Sequence, residues 1–303
     1  MALTPGDGAL RRAMPWVFVL IWSTGFVVAR YGMAHAPPLH FLSLRYALSV
    51  LCFIGWVAWS RPAWPRNRVQ AAHLMVVGVL MQAGYLGGVW SAVKAGMGAG
   101  TAALIVGLQP VLTALWQSRS TGDGRTGGAV SARQWVGLAL GLAGVVLVLW
   151  PKLGGGELTW LSLGLALLAL LCITCGTLYQ KRFVQPCDVR TANLLQLAAA
   201  LAVTLPLATL EPGSIELEPA LVGAMAWSVF GLTLGGSSLL YLLIQRGAAT
   251  AVSSLMYLVP PCTALMAWML FGDAFTPLMA LGLAFTAAGV AFVTAPVRDT
   301  TIR

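Results

Sequence analysis

Long apolar stretches separated by short polar segments dominate this chain between residues 14 and 295. An α-helix of about 20 mostly apolar residues is long enough to cross a lipid bilayer. Ten stretches meet this requirement, at residues 14–33, 39–59, 71–93, 97–117, 133–151, 159–180, 190–210, 220–244, 248–271 and 276–295. Connections as short as these cannot hold a folded soluble domain. The pattern predicts an all-α membrane protein with ten transmembrane helices.

Composition agrees with this prediction. Of the 303 residues, 58% are hydrophobic and only 9% are charged, whereas a soluble domain is about 25% charged. The net charge of +9 would suggest nucleic-acid binding in a soluble protein. In a membrane protein the distribution of charge between loops is more informative, so we expect the lipid bilayer as a partner and no nucleic acid.

Basic residues are concentrated in alternate connections. If the N-terminus is cytoplasmic, fourteen of the 18 Lys and Arg residues lie in cytoplasmic segments, and only Lys94 and Lys152 lie in outer loops. The connection at 211–219 is acidic and contains no Lys or Arg. Because cytoplasmic loops carry the excess of Lys and Arg, both termini are expected in the cytoplasm.

The two halves of the chain share an ordered series of prolines and glycines. Residues 110–115 recur in similar form at 260–265, and the glycine pattern of 137–151 recurs at 282–296. This predicts two repeats, 1–153 and 154–303, with five helices each. Five is an odd number, so the second repeat enters the membrane from the opposite side. Inverted repeats of this kind are common in secondary transporters, where they surround a central site.

Polar and aromatic side chains at helical spacing mark the faces of the spans that avoid lipid. They either form hydrogen bonds between helices or line a substrate cavity. Candidates for the cavity are Trp22, Ser23, Arg30, Arg45, Gln82, Tyr85, Gln109, Thr177, Tyr241 and Tyr257. Pro110, Pro260 and Pro261 fall inside spans at corresponding places of the two repeats, where a proline permits a kink. We interpret them as hinges beside the cavity.

Charged side chains are scarce inside the spans. Arg30 and Arg45 either extend toward the membrane surface or clamp an anionic group, since a guanidinium binds a carboxylate through two hydrogen bonds. None of the nine Asp and Glu residues falls well inside a span. A proton relay of buried carboxylates is therefore not expected.

The sequence contains no pattern typical of a catalytic or metal site. It lacks the HExxH, phosphate-loop and nucleophile-elbow motifs. Cys172 and Cys175 have a redox-type spacing but lie in an apolar helix, where thiols pack as small hydrophobic groups. We expect neither an enzyme nor a bound metal or cofactor.

Several stretches resemble the drug/metabolite transporter superfamily, EamA type. They are residues 22–30, 45–46, 100–110, 258–264, 271–273 and 282–290. The resemblance extends over about residues 14–295 and implies export of amino acids or other small metabolites across the bacterial inner membrane. The implied mechanism is alternating access around a central cavity that binds a small-molecule substrate. The family often has Glu at the ends of the fourth and ninth helices, and here only the ninth ends in an acid, Asp273.

Two other functions are consistent with the same pattern. The protein could import or exchange a small metabolite, since the inverted repeat does not define direction. It could also be a membrane enzyme or a non-transporting subunit, although the missing catalytic groups count against this.

Overall fold

The computed structural model describes residues 5–109, 111–113, 116, 132–150, 158–236, 239 and 258–294, and most of them are helical. In chain order the helices are α1 (Pro5–His35), α2 (Pro38–Ser60), α3 (Arg68–Lys94), α4 (Ala99–Val106), α5 (Ala132–Leu149), α6 (Trp160–Phe183), α7 (Val189–Ala208), α8 (Pro219–Gly236), α9 (Val259–Phe271) and α10 (Pro277–Thr294). Each overlaps one of the predicted stretches. The predicted all-helical class is confirmed for the described residues.

Six helices of the described chain are long and apolar enough to cross a membrane. They are Trp16–His35 within α1, together with α2, α3, α6, α7 and α8. Shorter apolar helices cover Ala99–Thr113, Trp135–Val148, Val259–Phe271 and Pro277–Gly289. The chain is therefore a multi-pass membrane protein. Most of residues 237–257, at the junction of the predicted eighth and ninth spans, lies outside the described residues.

Polar side chains begin several helices because the first N–H groups of a helix have no partner within it. Asn67 accepts a hydrogen bond from the first turn of α3. Thr159 and Ser162 form a reciprocal cap at the start of α6. Asp188 accepts a hydrogen bond from the backbone N–H of Arg190 at the start of α7. The Arg190 side chain also binds this carboxylate, and these hydrogen bonds lower the pKa of Asp188.

Two helices change locally from α-helical to π-helical geometry, in which a backbone N–H bonds the carbonyl five residues earlier. The π segments are Val79–Leu86 in α3 and Trp227–Gly236 in α8. They lie about 150 residues apart, at corresponding positions of the two halves. Segments of this kind are frequent at functional sites.

Helices from the two halves of the chain pack against each other in a reciprocal pattern. Helix α5 packs along α10, α2 along α7, and α4 against α9. In addition, α1 contacts α8, and α6 contacts α3. Every one of these pairs joins residues of 1–153 to residues of 154–303. The two halves are therefore interlocked, and neither packs as a separate unit.

Glycines allow helices α5 and α10 to pack with their backbones in direct contact. A methyl group at Gly144 would overlap the backbone of Gly282, and one at Gly289 would overlap the backbone of Gly137 and Gly141. Small residues of this kind permit close packing of membrane helices, where van der Waals contact replaces the hydrophobic effect. The glycines shared by the two halves thus have a packing role between α5 and α10.

The variant Gly289→Ala is expected to unfold at a lower temperature than the wild-type protein. Its added methyl group must displace the α5 backbone, and overpacking of this kind costs about 1–3 kcal/mol. The matched control is Gly164→Ala on α6, where an added Cβ would meet no atom within 4 Å. Thermal unfolding of both variants in one detergent checks this. Equal stability of the two variants would contradict the packing role.

Candidate functional site

A cavity lies among helices α1, α2, α3, α6 and α8. It contains about 750 Å³ of space when the open space at its mouth is included. Its lining combines aromatic rings and aliphatic side chains with four polar ones. The lining residues are Trp22, Gly25, Phe26, Arg45, Met81, Gln82, Tyr85, Leu86, Val89, Trp90, Ile173, Leu232 and Thr233.

Four of the predicted site residues line this cavity together. Trp22 comes from α1, Arg45 from α2, and Gln82 and Tyr85 from α3. In α3 the two side chains belong to the π segment Val79–Leu86. The predicted polar faces of three different helices therefore meet at one site.

Arg45 is the charged residue of the cavity lining. It is only 6% exposed, and its Nε and Nη2 donate hydrogen bonds to Oγ1 of Thr233 at 3.2 and 3.0 Å. Its guanidinium carbon lies 5.9 Å from the centroid of the Trp90 ring, which supplies a weak cation–π contact. Among the described residues, no carboxylate lies within ion-pair distance of Arg45. The charge is thus held by one hydroxyl group and an aromatic face.

The π segment of α8 positions the acceptor for Arg45. The Thr233 hydroxyl donates to the carbonyl of Ser228, five residues earlier, at 2.8 Å. This bond orients the Thr233 oxygen so that its lone pairs are available to the guanidinium. The next residue of α2, Tyr46, donates from its hydroxyl to the carbonyl of Gln82 in the other π segment at 2.7 Å. Two adjacent residues of α2 therefore bind both π segments.

Aromatic rings form much of the remaining wall. Trp90 is almost fully buried and packs against Phe41, with ring centroids 4.6 Å apart. Trp22 packs against Phe18 at a centroid distance of 5.3 Å. Such contacts fix the orientation of the two indole rings. The cavity thus presents aromatic surfaces beside the guanidinium group of Arg45.

Ser23 and Arg30 were predicted in the cavity but do not line it. Ser23 is fully buried and donates to the carbonyl of Val19 at 2.7 Å. Arg30 Nη1 lies 2.5 Å from Oδ1 of Asp273, in the connection after α9. Its guanidinium carbon is 4.3 Å from the centroid of the Phe271 ring. Arg30 thus joins the end of α1 to the end of α9.

Gln109 and Thr177 form a hydrogen bond with each other outside the cavity lining. Nε2 of Gln109 donates to Oγ1 of Thr177 at 2.9 Å, and that hydroxyl donates to the carbonyl of Ile173 at 2.7 Å. Ile173 lines the cavity one helical turn away. The sequence allowed either a hydrogen bond between helices or a place in the cavity lining for these two side chains. The structure shows the hydrogen bond between helices.

The remaining predicted residues concern the ninth helix and the undescribed parts of the chain. Pro260 and Pro261 occupy the first turn of α9. The N–H groups of a first turn have no acceptor within the helix, so the N–H that proline lacks costs no helical hydrogen bond there. An added Cβ on Gly107 would lie 2.9 Å from the Pro260 ring, so the two helices meet closely here. Tyr241, Tyr257 and Pro110 lie outside the described residues.

Thr233 is the binding partner that sequence reasoning missed. It is 188 residues from Arg45 in the chain, and helical spacing carries no information about residues on different helices. The run of glycines around it, Gly231, Gly235 and Gly236, is the one available signal, since glycines are frequent where a helix departs from regular geometry. Trp90 and Phe26 also line the cavity but are not among the predicted residues.

Polar contacts also join the two halves where α2 begins. Glu211, which follows α7, accepts hydrogen bonds from the backbone N–H of His40 at 3.3 Å and of the preceding residue at 2.8 Å. Its carboxylate therefore caps α2 and interacts favourably with the helix dipole. The N–H of Glu216 donates to the carbonyl of His35 at 2.9 Å. We refer to the contacts of Glu211, Glu216 and Asp273 as the interloop contacts.

Comparison with known proteins assigns the family. The sequence model of the EamA-like transporter family matches residues 14–150 and 160–295, which is nearly the whole chain in two consecutive matches. This multi-pass helical protein belongs to the EamA-like transporter family.

Among the described residues, no group of three or more His, Cys, Asp or Glu side chains is arranged to hold a metal ion.

Individual relatives are distant in sequence but match over most of their length. A protein of Salmonella typhimurium named "Probable amino-acid metabolite efflux pump" is 26% identical over 282 residues, 90% of each chain. A protein of Escherichia coli K12 named "Uncharacterized inner membrane transporter YedA" is 26% identical over 300 residues, 96% of this chain and 91% of that one. A protein of known crystal structure is 18% identical and superposes with a TM-score of 0.62 over 92% of this chain and 95% of that one. At this identity the structural likeness concerns the fold alone.

The variant Thr233→Val is expected to be less stable than the wild-type protein. Valine keeps the size of the side chain but removes the acceptor of two hydrogen bonds from a buried guanidinium. Leaving a buried donor unpaired costs about 1–3 kcal/mol. Thr233→Ser, which keeps the hydroxyl, is the control and should unfold close to the wild-type temperature. Thermal unfolding of the purified variants checks this, and equal loss in both would argue against the hydrogen bonds.

Proposed function

We propose that this protein is a secondary transporter that exports amino acids or other small metabolites across the bacterial inner membrane by alternating access. The observation that carries this proposal is the cavity among the helices, with a buried Arg45 that has no carboxylate partner among the described residues. An ionisable residue inside a membrane protein is costly and marks a functional site by default. A substrate carboxylate would supply the missing counter-charge.

The reciprocal packing of the halves supports an inverted repeat of two five-helix units, 1–153 and 154–303. Helix α1 contacts α8, and its counterpart α6 contacts α3, the counterpart of α8. The π segments of α3 and α8 also correspond in position. With five spans in each unit, the two units would have opposite orientations in the membrane. This arrangement allows one central site to open to each side of the membrane in turn.

Export and location rest on the relatives and on the loop charges. Two relatives are named as efflux pumps and another as an inner membrane transporter. The excess of Lys and Arg in alternate loops supports cytoplasmic termini. In that orientation the interloop contacts lie on the outer side of the membrane. These names and the family also favour transport over an enzymatic function.

Within the cavity, each predicted binding residue has a distinct role in this proposal. Arg45 pairs with the substrate carboxylate, since its planar group can form two parallel hydrogen bonds. Trp22 and Tyr85 pack against the body of the substrate, and Gln82 offers an amide for polar groups. Tyr241 and Tyr257 remain predicted contributors, and Pro110 remains a predicted hinge. Pro260 and Pro261 remain predicted hinges at the start of α9 and not at a kink within it.

The interloop contacts provide a closure at the proposed outer side. Arg30 with Asp273, and Glu211 with the start of α2, both join the first half to the second. A rocking motion that separates the two halves at this side would have to break them. We therefore propose that these contacts stabilise the state closed toward the outside.

Arg45→Ala is expected to abolish transport of a solute that the wild-type protein moves. Arg45→Lys should lose nearly as much, because an ammonium group cannot replace the two parallel hydrogen bonds of a guanidinium. The measurement is counterflow in proteoliposomes with pooled labelled amino acids and common metabolites. The control is Arg68→Ala, which removes an exposed arginine at the start of α3. Full activity of Arg45→Ala would remove Arg45 from the site, and absence of flux for every solute with the wild-type protein would count against transport.

Charge exchange tests the outer closure. Arg30→Asp places two carboxylates opposite each other, and Asp273→Arg places two guanidinium groups together, so each single variant should open this side and alter the counterflow rate. The double variant Arg30→Asp/Asp273→Arg restores opposite charges and should recover the rate toward wild type. Independent, additive effects of the two changes would show that the pair does not act as a unit.

A further inference from the structure

We propose that the cavity selects carboxylic acids that have an aromatic or apolar body and carry no free ammonium group, which narrows the proposed substrates to small metabolites other than free amino acids. This inference rests on the proposed transport function and names the substrate class of the same site. It follows from the charge of the cavity, because Arg45 is the charged side chain among the described lining residues.

The positive charge of the site is incompletely satisfied. Arg45 is 6% exposed, and its hydrogen bonds go from Nε and Nη2 to the single oxygen of Thr233. No hydrogen bond to the described residues involves its Nη1. A guanidinium carries five N–H donors and no acceptor. Arg45 therefore has donors left for an anion within the cavity.

Among the described residues, no carboxylate lies where it could neutralise this charge or receive an ammonium group. The acids at the helix ends are engaged elsewhere: Asp188 binds Arg190, Glu211 caps α2, and Asp273 pairs with Arg30. The remaining acids are at positions 7, 123, 157, 216, 218 and 299. Residues 237–257, most of which the structure does not describe, contain no Asp or Glu at all. The sequence thus excludes an acid from that stretch as well.

The sign of the charge discriminates between substrates. A monoanionic acid brings one negative charge to one positive charge, so the occupied cavity is neutral. An amino acid in its zwitterionic form would in addition bury an ammonium group without a carboxylate partner, and an unpaired buried charge is strongly unfavourable. The neutral groups beside Arg45, such as Gln82 and Tyr85, offer only dipoles. An amino group that is absent or acylated removes this cost.

The rest of the lining favours an apolar body. Trp22, Phe26, Ile173 and Leu232 face the cavity from three helices. Burial of a ring or an aliphatic chain against them gains about 25 cal/mol per Å² of apolar surface. The carboxylate at Arg45 orients the molecule, and the apolar walls accommodate its body.

Four matched compounds test this selection. 3-Phenylpropionate, N-acetylphenylalanine, phenylalanine and phenethylamine share a benzyl-type body and differ in their charged groups. Binding to the purified protein is measured by titration calorimetry, and movement by counterflow. We expect the first two to bind roughly tenfold or more tightly than phenylalanine, since an unpaired buried charge costs more than one decade of affinity. Phenethylamine should not bind.

A charge introduced into the cavity should reverse this preference. Gln82→Glu keeps the size of the side chain and places a carboxylate beside Arg45, so the relative affinity should shift from 3-phenylpropionate toward phenylalanine. Gln180→Glu makes the same chemical change at an exposed position of α6 and should leave the order of affinities unchanged. Thermal unfolding of both variants shows whether they are folded.

The outcomes separate this inference from the proposed function. Tighter binding of phenylalanine than of 3-phenylpropionate would overturn the inference but not the proposed transport function. It would indicate that the aromatic rings of the cavity bind the ammonium group. Binding of none of the four, together with movement of another solute from the metabolite pool, would also overturn the inference alone. Absence of movement for every solute would overturn both.

Discussion

A guanidinium group buried among membrane helices must find its hydrogen-bond acceptors within the protein, because the lipid supplies none. Arg45 meets this requirement through one hydroxyl, that of Thr233, which a π segment of α8 holds in place. Tyr46 binds the carbonyl of Gln82 in the other π segment. Helix α2 thus connects the irregular parts of α3 and α8, and the cavity lies between these three helices and α1 and α6. Its shape and its charge depend on the same contacts.

The same need for internal partners explains how the two halves are held together. Without a hydrophobic driving force between helices in lipid, close contact and polar bonds must supply the attraction. Backbone contact at glycines joins α5 to α10, and hydrogen bonds such as that of Gln109 with Thr177 join the helices near the cavity. At one end, the interloop contacts hold the connections of the two halves together.

The sequence was sufficient to predict a membrane protein, the positions of its helices and the repeated glycines. These features depend on local composition and on the spacing of residues along the chain. The polar faces of α1, α2 and α3 were also predictable, since helical spacing shows which residues share a face. The structure places Trp22, Arg45, Gln82 and Tyr85, which this reasoning selected, around one cavity. The same reasoning did not separate them from Ser23, Arg30, Gln109 and Thr177, which have the same polar character but other partners.

The sequence by itself determined that apolar helices cross a membrane, that they recur in two halves, and that acids are absent from their interior. Only the tertiary structure decided that Arg45 meets Thr233, that Arg30 pairs with Asp273, and that both α3 and α8 contain π segments. The physical reason is that periodicity records which face of a helix avoids lipid but not which helix lies opposite. That choice depends on backbone approach and on the balance of hydrogen bonds over the whole fold.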